Sequence, residues 1–374
     1  MKKTKIFAAY LPQYHETPEN NEFWGKGFTD WVGVKNAKPQ FSGHKQPRKP
    51  LNENYYDLSE TDSIRWQAKL ARQYGVSGFN IYHYWFEGGK NVLGKPAESI
   101  LSDKSIDIEF FFSWDNASWV RSWGNIKGNS WAPEFDKKEI DGKQTLLRFD
   151  YGSEADWKNH FDYLLPFFLD ERYLKINNSP VFCLMRDADA KTLKQMHCKW
   201  NQYAKENGFD GIFLMTGRKV FFNKRVATAQ FTYQPGFSSW NKRESFDSRM
   251  NKYFHIEPRK DGAVKYQYDF ETVWKNIIRD TKINIKKMIY FGGVVGFDDT
   301  PRRGLNARML INGSPSLFEK YFKEFYKLNC QENKEILFLT AWNEWGEGAY
   351  LEPDEENGYA YLEAIKRVVY SVKE

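Results

Sequence analysis

The stretch LFLTAWNEWGEGAYLEPD, residues 337–354, closes an apolar run with two carboxylates three positions apart, Glu344 and Glu347, set among Trp342, Asn343, Trp345 and two glycines. Taking an acid out of water is costly unless something stabilises it, so aromatic company around a pair of glutamates singles them out. Two acids in one pocket suit glycosidic chemistry: one protonates the departing oxygen while the other acts as base or nucleophile. Side chains three residues apart lie within ~10 Å of each other even on an extended chain. On a straight strand, however, positions i and i+3 face opposite sides. Both acids serve one pocket only if the backbone turns after Trp342, which Gly346 and Gly348 permit. Without that turn they are surface acids of a loop.

The elements that must carry this pair follow from hydrophobic patterning. Short β-branched and aromatic runs at 5–10, 78–85, 108–114, 180–185, 211–216, 227–233, 287–295 and 335–342 read as strands. Between them, period-3.6 spacing predicts helices at 60–75, 154–170, 189–208, 269–282, 314–329 and 357–372, with a weaker one at 95–103 and almost none between the fifth and sixth strands. Eight strands with a helix after the last point to an α/β fold, a (β/α)8 TIM-type barrel forming one catalytic domain over residues 1–374; a doubly wound open sheet is the alternative. The first βα connection, residues 11–57, is long and shows no convincing helix. Other long loops follow the third and sixth strands, and loops of this length inside compact domains are usually functional.

Barrel enzymes place their sites at the C-terminal ends of the strands. The residues there form a polar, aromatic rim: Gln13, Tyr14 and His15; His83, Tyr84 and Trp85; Trp114, Asp115, Asn116 and Trp119; Arg186; Thr216; Tyr233; Asp298 and Asp299; Asn343, Glu344, Trp345 and Glu347. Any barrel rim is polar, but this one carries more indole and phenol surface than a structural rim needs. Rings that lie flat on the C–H face of a sugar, with carboxylates and amides on its hydroxyls, make a carbohydrate site. Trp31, Trp85, Trp114, Trp119 and Trp345 are the expected platforms, although any one of them taken singly is a more ordinary core residue.

Other features exclude more than they offer. The net charge of +6 is modest and scattered, which argues against a nucleic-acid partner. The N-terminus begins like a secretory leader, but its apolar run stops at Pro12, and no segment approaches the ~20 apolar residues of a membrane span. Three cysteines without metal-ligand spacing favour a reducing compartment, so a cytoplasmic location is expected. Asp187-Ala188-Asp189 matches the D-x-D that holds a nucleotide diphosphate in metal-dependent transferases, yet it more simply opens a helix. His197 and Cys198 point to different helix faces, and Arg302 and Arg303 in DDTPRRG read as a solvated turn or as an anion contact. No phosphate loop or Rossmann fingerprint is present, and neither cofactor nor metal is expected.

Seven ordered motifs carry a family likeness: YLPQYHETPENNEFWGKGFTDW, GHKQPRKP, GFNIYHYWFEGGK, FSWDNASW, SPVFCLMR, GGVVGFDDTPRRG and TAWNEWGEGAYLEPD. Together they resemble the WbsX-type glycosyltransferases, also described as glycoside hydrolase family 99-like proteins, with a more distant likeness to the family 99 endo-mannosidases. That resemblance implies retaining cleavage of α-mannosides without a covalent glycosyl-enzyme. By motif, Glu344 would take the proton of the sugar's own 2-hydroxyl, which attacks C1, and Glu347 would be the acid/base. The expected partner is an oligosaccharide or polysaccharide. A transferase of O-antigen or capsule synthesis and a non-catalytic glycan-binding barrel remain the alternatives.

Overall fold

The structure is a computed structural model that describes residues 3–120, 145–186, 190–218, 227–240 and 262–372. Its central sheet is parallel and contains β1 (Lys5–Tyr10), β2 (Gly78–Phe86), β3 (Glu109–Trp114), β4 (Ser179–Leu184), β5 (Phe213–Gly217), β6 (Ala229–Phe231), β7 (Ile289–Tyr290 continued by Gly292–Val294) and β8 (Ile336–Thr340). Each strand pairs with the next in sequence, and β8 returns to β1 with Lys5 opposite Ile336. Ring closure falls on β7. Its first piece pairs with β6 and its second with β8. The Tyr290 carbonyl accepts from Thr232 just after β6 and the Phe291 carbonyl from Phe338 on β8, both at 3.0 Å. Between them the Gly292 N–H donates to the Thr232 hydroxyl at 2.8 Å, which satisfies that buried donor where the strand changes neighbour. The expected eight-stranded barrel is the fold found, with β6 and β7 shorter than their sequence runs.

Inside the cylinder, Phe7 packs on Phe111, Phe111 on Phe338 and Phe338 on Phe231, with ring centroids 5.0–5.9 Å apart. β3 and β6 are not neighbours of β8, so these rings can meet only across the interior. They plug the barrel below the C-terminal ends of the strands, each burying a side chain worth about 2 kcal/mol or more. One continuous apolar cluster runs from Ile6 to Val369 through strands and helices.

The helices connect the strands on the outside: α3 (Thr61–Gln73), α4 (Lys95–Ser102), α5 (Glu154–Leu169), α6 (Ala190–Glu206), α7 (Phe270–Asn284), a one-turn α8 (Thr300–Arg303), α9 (Pro315–Gln331) and α10 (Ala360–Ser371). Their ends follow local chemistry. The Ser314 hydroxyl receives the Leu317 N–H ahead of Pro315, and Ser153 and Asp156 form a reciprocal capping box. The first loop departs from expectation, because it holds α1 (Pro18–Trp24) and α2 (Asp30–Asn36). Each is only seven residues long, too short to show a period. α1 is set by a Thr17 cap and Pro18, and α2 by burial of Asp30, Trp31 and Val34. The remaining expectation between β5 and β6 lies largely in residues 219–226, outside the described residues, as does the Asp187–Asp189 match.

Candidate active site

After Thr340 the chain leaves the barrel and folds into a tight hairpin, β9 (Asn343–Glu344) antiparallel to β10 (Ala349–Tyr350), with one 3₁₀ turn over Trp345–Glu347 between them. Two glycines make the turn possible. Gly348 takes φ +56°, which a side chain resists. A Cβ on Gly346 would lie 2.8 Å from the Asp30 carboxylate and 3.0 Å from Arg302 Nε, so only glycine lets those two groups approach. Asn343 ties the hairpin to the start of the first loop by a pair of bonds, its Oδ1 accepting from Leu11 N–H at 2.7 Å and its Nδ2 donating to Leu11 O at 3.0 Å.

The turn brings Glu344 and Glu347 into one cavity of about 540 Å3 at the barrel mouth. The other walls are Leu11 and Gln13 after β1, Tyr82 and Tyr84 on β2, Asp115 after β3, Met185 and Arg186 after β4, Tyr233 after β6, and Arg302 and Arg303 on α8. Arg302 joins the two acids. One Nη contacts Glu347 and the other lies 3.7 Å from Glu344 and 3.4 Å from Asp30. Side-chain exposure is 6% for Glu344 against 24% for Glu347, so Glu347 is the acid nearer the opening. Burial raises the Glu344 carboxyl well above the ordinary range, and the neighbouring Glu347 adds to the rise; the Arg302 charge and a hydrogen bond from Tyr82 pull the other way. On the opposite wall the Tyr82 and Tyr233 hydroxyls meet at 2.6 Å, bridging β2 and the end of β6 across the barrel.

Of the rim residues expected from the sequence, Gln13, Tyr84, Asp115, Arg186, Tyr233, Glu344 and Glu347 share this cavity. The others lie elsewhere. Tyr14 is buried beneath the hairpin, where its hydroxyl donates to Asn343 O at 2.5 Å and receives the Trp345 N–H at 3.2 Å. Trp31 packs on Tyr14 and Trp345, with its Nε1 on Tyr56 O. Trp345 stacks on Tyr350 and donates from Nε1 to Glu352 at 2.7 Å. His83 and Trp85 point outward, His83 Nε2 to His160 Nε2 at 2.8 Å and Trp85 face to face with His160 at 4.4 Å. Burial pushes His83 down to about 3. Trp85, Trp114 and His160 belong to a separate cavity of about 300 Å3 against α5. Trp119 packs edge-on against Tyr84 and Phe86.

Asn116 and Asp298 act through their neighbours. Asn116 holds the Arg186 backbone from both ends, Oδ1 to its N–H at 2.8 Å and Nδ2 to its carbonyl at 2.7 Å. Asp298 donates its backbone N–H to the Glu347 carbonyl at 2.6 Å and takes its side-chain bonds from His44, Gln46 and Thr300. Burial alone would raise that carboxyl, but the His44 bond and the Arg48 charge more than offset it and hold it well below the usual range.

Tyr82, Arg302 and Glu352 were not among the expected site residues. The clue to Tyr82 is parity. Alternate residues of β2 share a face, so Tyr82 and Tyr84 look into the barrel and His83 and Trp85 look out. Among the described residues no group of three or more His, Cys, Asp or Glu could hold a metal ion.

The comparisons with known proteins fit this geometry. The profile of the family described as Glycosyltransferase WbsX matches residues 6–365. The chain belongs to that family. It is similar to the uncharacterised protein WxcX of two strains of Xanthomonas campestris pv. campestris, at 30% and 29% identity over 97% of this chain and 49% of the WxcX sequence. The chain thus spans about half the length of these relatives. Among solved structures it resembles the GH99 endo-alpha-mannosidase from Bacteroides thetaiotaomicron (TM-score 0.55, 13% identity, 98% of this chain and 95% of the other). It also resembles a glycoside hydrolase-like protein (TM-score 0.59, 10% identity, 99% and 94%). At these identities the likeness is one of fold.

Proposed function

We propose that this chain is a carbohydrate-active enzyme, a family 99-like retaining glycosidase or transglycosidase that acts on mannoside-type bonds of a surface polysaccharide or oligosaccharide. The observation that carries the reading is the hairpin that puts Glu344 and Glu347, joined through Arg302, into one cavity of sugar-binding size. Glu344 as carboxylate takes the proton of the 2-hydroxyl, O2 attacks C1, and the bond from C1 to the leaving oxygen breaks as Glu347 gives that oxygen its proton. Water then opens the 1,2-anhydro sugar, losing a proton to Glu347 while Glu344 returns one to O2. A raised pKa makes ionised Glu344 a stronger base than an ordinary glutamate. Tyr82, Tyr84, Tyr233, Gln13, Asp115 and Arg186 supply the remaining sugar contacts.

The test is to incubate the protein with its own organism's surface polysaccharide or lipid-linked precursor and follow released reducing ends and anomeric configuration by NMR. Retention is expected, and a 2-deoxy analogue should be inert; normal cleavage of that analogue would remove the anhydro step while leaving the hydrolase reading. The family's description favours a second reading, a transferase of O-antigen or capsule synthesis. Thermal stabilisation by nucleotide sugars would support it, whereas stabilisation by oligosaccharide without any turnover would leave a binding protein. Cys183, Cys198 and Cys330 are free thiols, which supports a cytoplasmic location. No helix among the described residues is long and apolar enough to cross a membrane.

A further inference from the structure

Arg186 and Arg303 are held differently from Arg302. Arg302 is 14% exposed and engaged with the acids, whereas the Arg186 and Arg303 side chains are 60% and 40% exposed. Arg303 reaches Asp299 with Nε at 2.8 Å. Asp299 is itself fixed by the Arg308 N–H at 2.6 Å. Arg186 has its backbone clamped by Asn116, and its carboxylate neighbour Asp115 stands 3.7 Å from Nε, beyond hydrogen-bond reach. Both side chains thus stand beside a carboxylate yet remain accessible, one after β4 and the other after β7, in the cavity that holds Glu344 and Glu347.

A guanidinium offers only donors, in a planar fork that matches the two oxygens of a carboxylate or phosphate. A neutral sugar ring presents hydroxyls that are best met by groups able both to give and to accept. The cavity already has those in Gln13, Tyr82, Tyr84 and Tyr233. Two further all-donor forks add nothing for a neutral glycan that tyrosine or glutamine would not do at lower desolvation cost. Burial raises the carboxyls of Asp115 and Glu344 even against the pull of the Arg186 and Arg302 charges.

We propose that the glycan accepted here is acidic, with carboxylate or phosphate oxygens received by the exposed guanidinium groups of Arg186 and Arg303. This deepens, and rests on, the reading of the cavity as a glycan site. The test measures binding by calorimetry to the full chain carrying Glu347→Gln, so that no probe is consumed. The probes are tetrasaccharides of mannuronate, glucuronate and galacturonate, their neutral counterparts of the same configuration, phosphorylated mannan fragments, and inorganic pyrophosphate as competitor.

At least one acidic probe should bind tenfold or more tightly than its neutral counterpart, and the preference should shrink as salt rises. Arg186→Gln and Arg303→Gln together should abolish the preference, bringing acidic probes down to the affinity of their neutral counterparts in the same variant, and Arg186→Lys should keep part of it. A uronate preference insensitive to pyrophosphate identifies a sugar acid; preference for phosphorylated fragments with competition by pyrophosphate identifies a phosphate ester. Equal binding of acidic and neutral probes, an acidic preference that survives the double substitution, or no binding of any anionic probe overturns the proposal. The glycosidase reading would stand after such a result, because it is judged by turnover of the native polysaccharide. Acidic binding without turnover would have the reverse meaning.

Discussion

Two buried acids on one short stretch of chain have opposite settings. Glu344 faces the cavity, with Glu347 and Arg302 as charged neighbours and a phenol opposite. Glu352, eight positions on, is sealed behind the Trp345 ring. It receives the indole N–H at 2.7 Å, the Tyr56 hydroxyl at 2.8 Å and the Gln67 amide at 2.7 Å. Burial pushes its carboxyl up to about 7 even though these bonds oppose the rise. The front acids have a charged partner and an opening; the rear acid has three neutral donors and none. The difference teaches that burial alone does not mark a catalytic group, since the rear acid serves to hold the ring on which the front turn is built.

Substitution should separate the two. Glu347→Gln and Glu344→Gln are expected to lower turnover by about 10³-fold or more, with the urea midpoint changed little. Wild-type turnover in either would remove that residue from its role. Glu352→Ala should do the reverse in kind: three buried donors lose their acceptor, so about 3 kcal/mol of stability or more should go, read from the urea midpoint.

Subtler changes sharpen the contrast. Arg302→Gln removes the positive charge that opposes the rise at Glu344, so the acidic limb of the kcat/KM profile should move up by about one pH unit. Arg302→Lys should move it less. At the rear, the Glu352 carboxyl ionises near 7 when folded against an ordinary 4.5. The folded state therefore keeps a proton that the unfolded chain has released, and the stabilisation is full below pH 4.5 and fades as pH rises towards 7. Glu352→Gln should flatten the fall in stability across that window, as measured by urea unfolding at several pH values. The smallest effect belongs to EDTA, which should leave activity unchanged; sensitivity to it would return attention to Asp187 and Asp189.

Much of this was legible in the sequence, for identifiable reasons. The strands were visible because each is a short apolar run bounded by turn residues, and the bend after Trp342 because Gly346 and Gly348 stand where a straight strand would part the two acids. α1 and α2 were not visible, since seven residues held by a cap or by burial leave no periodic trace. On β2, a shift of one residue decides between His83 and Trp85, which pack on α5, and Tyr82 and Tyr84, which line the cavity. Arg302 was read as part of a solvated turn or as an anion contact, because nothing local to DDTPRRG says that it will meet residues 30, 344 and 347.

The divided seventh strand has one further consequence. A cylinder fastened along a two-part seam is weakest where neither part overlaps the other, and here that joint separates the wall bearing Tyr233 from the wall bearing the acidic hairpin. Deuterium uptake at Phe291 and its flanking amides therefore gauges how firmly the two sides of the mouth are clasped, and a glycan that touches both should slow it.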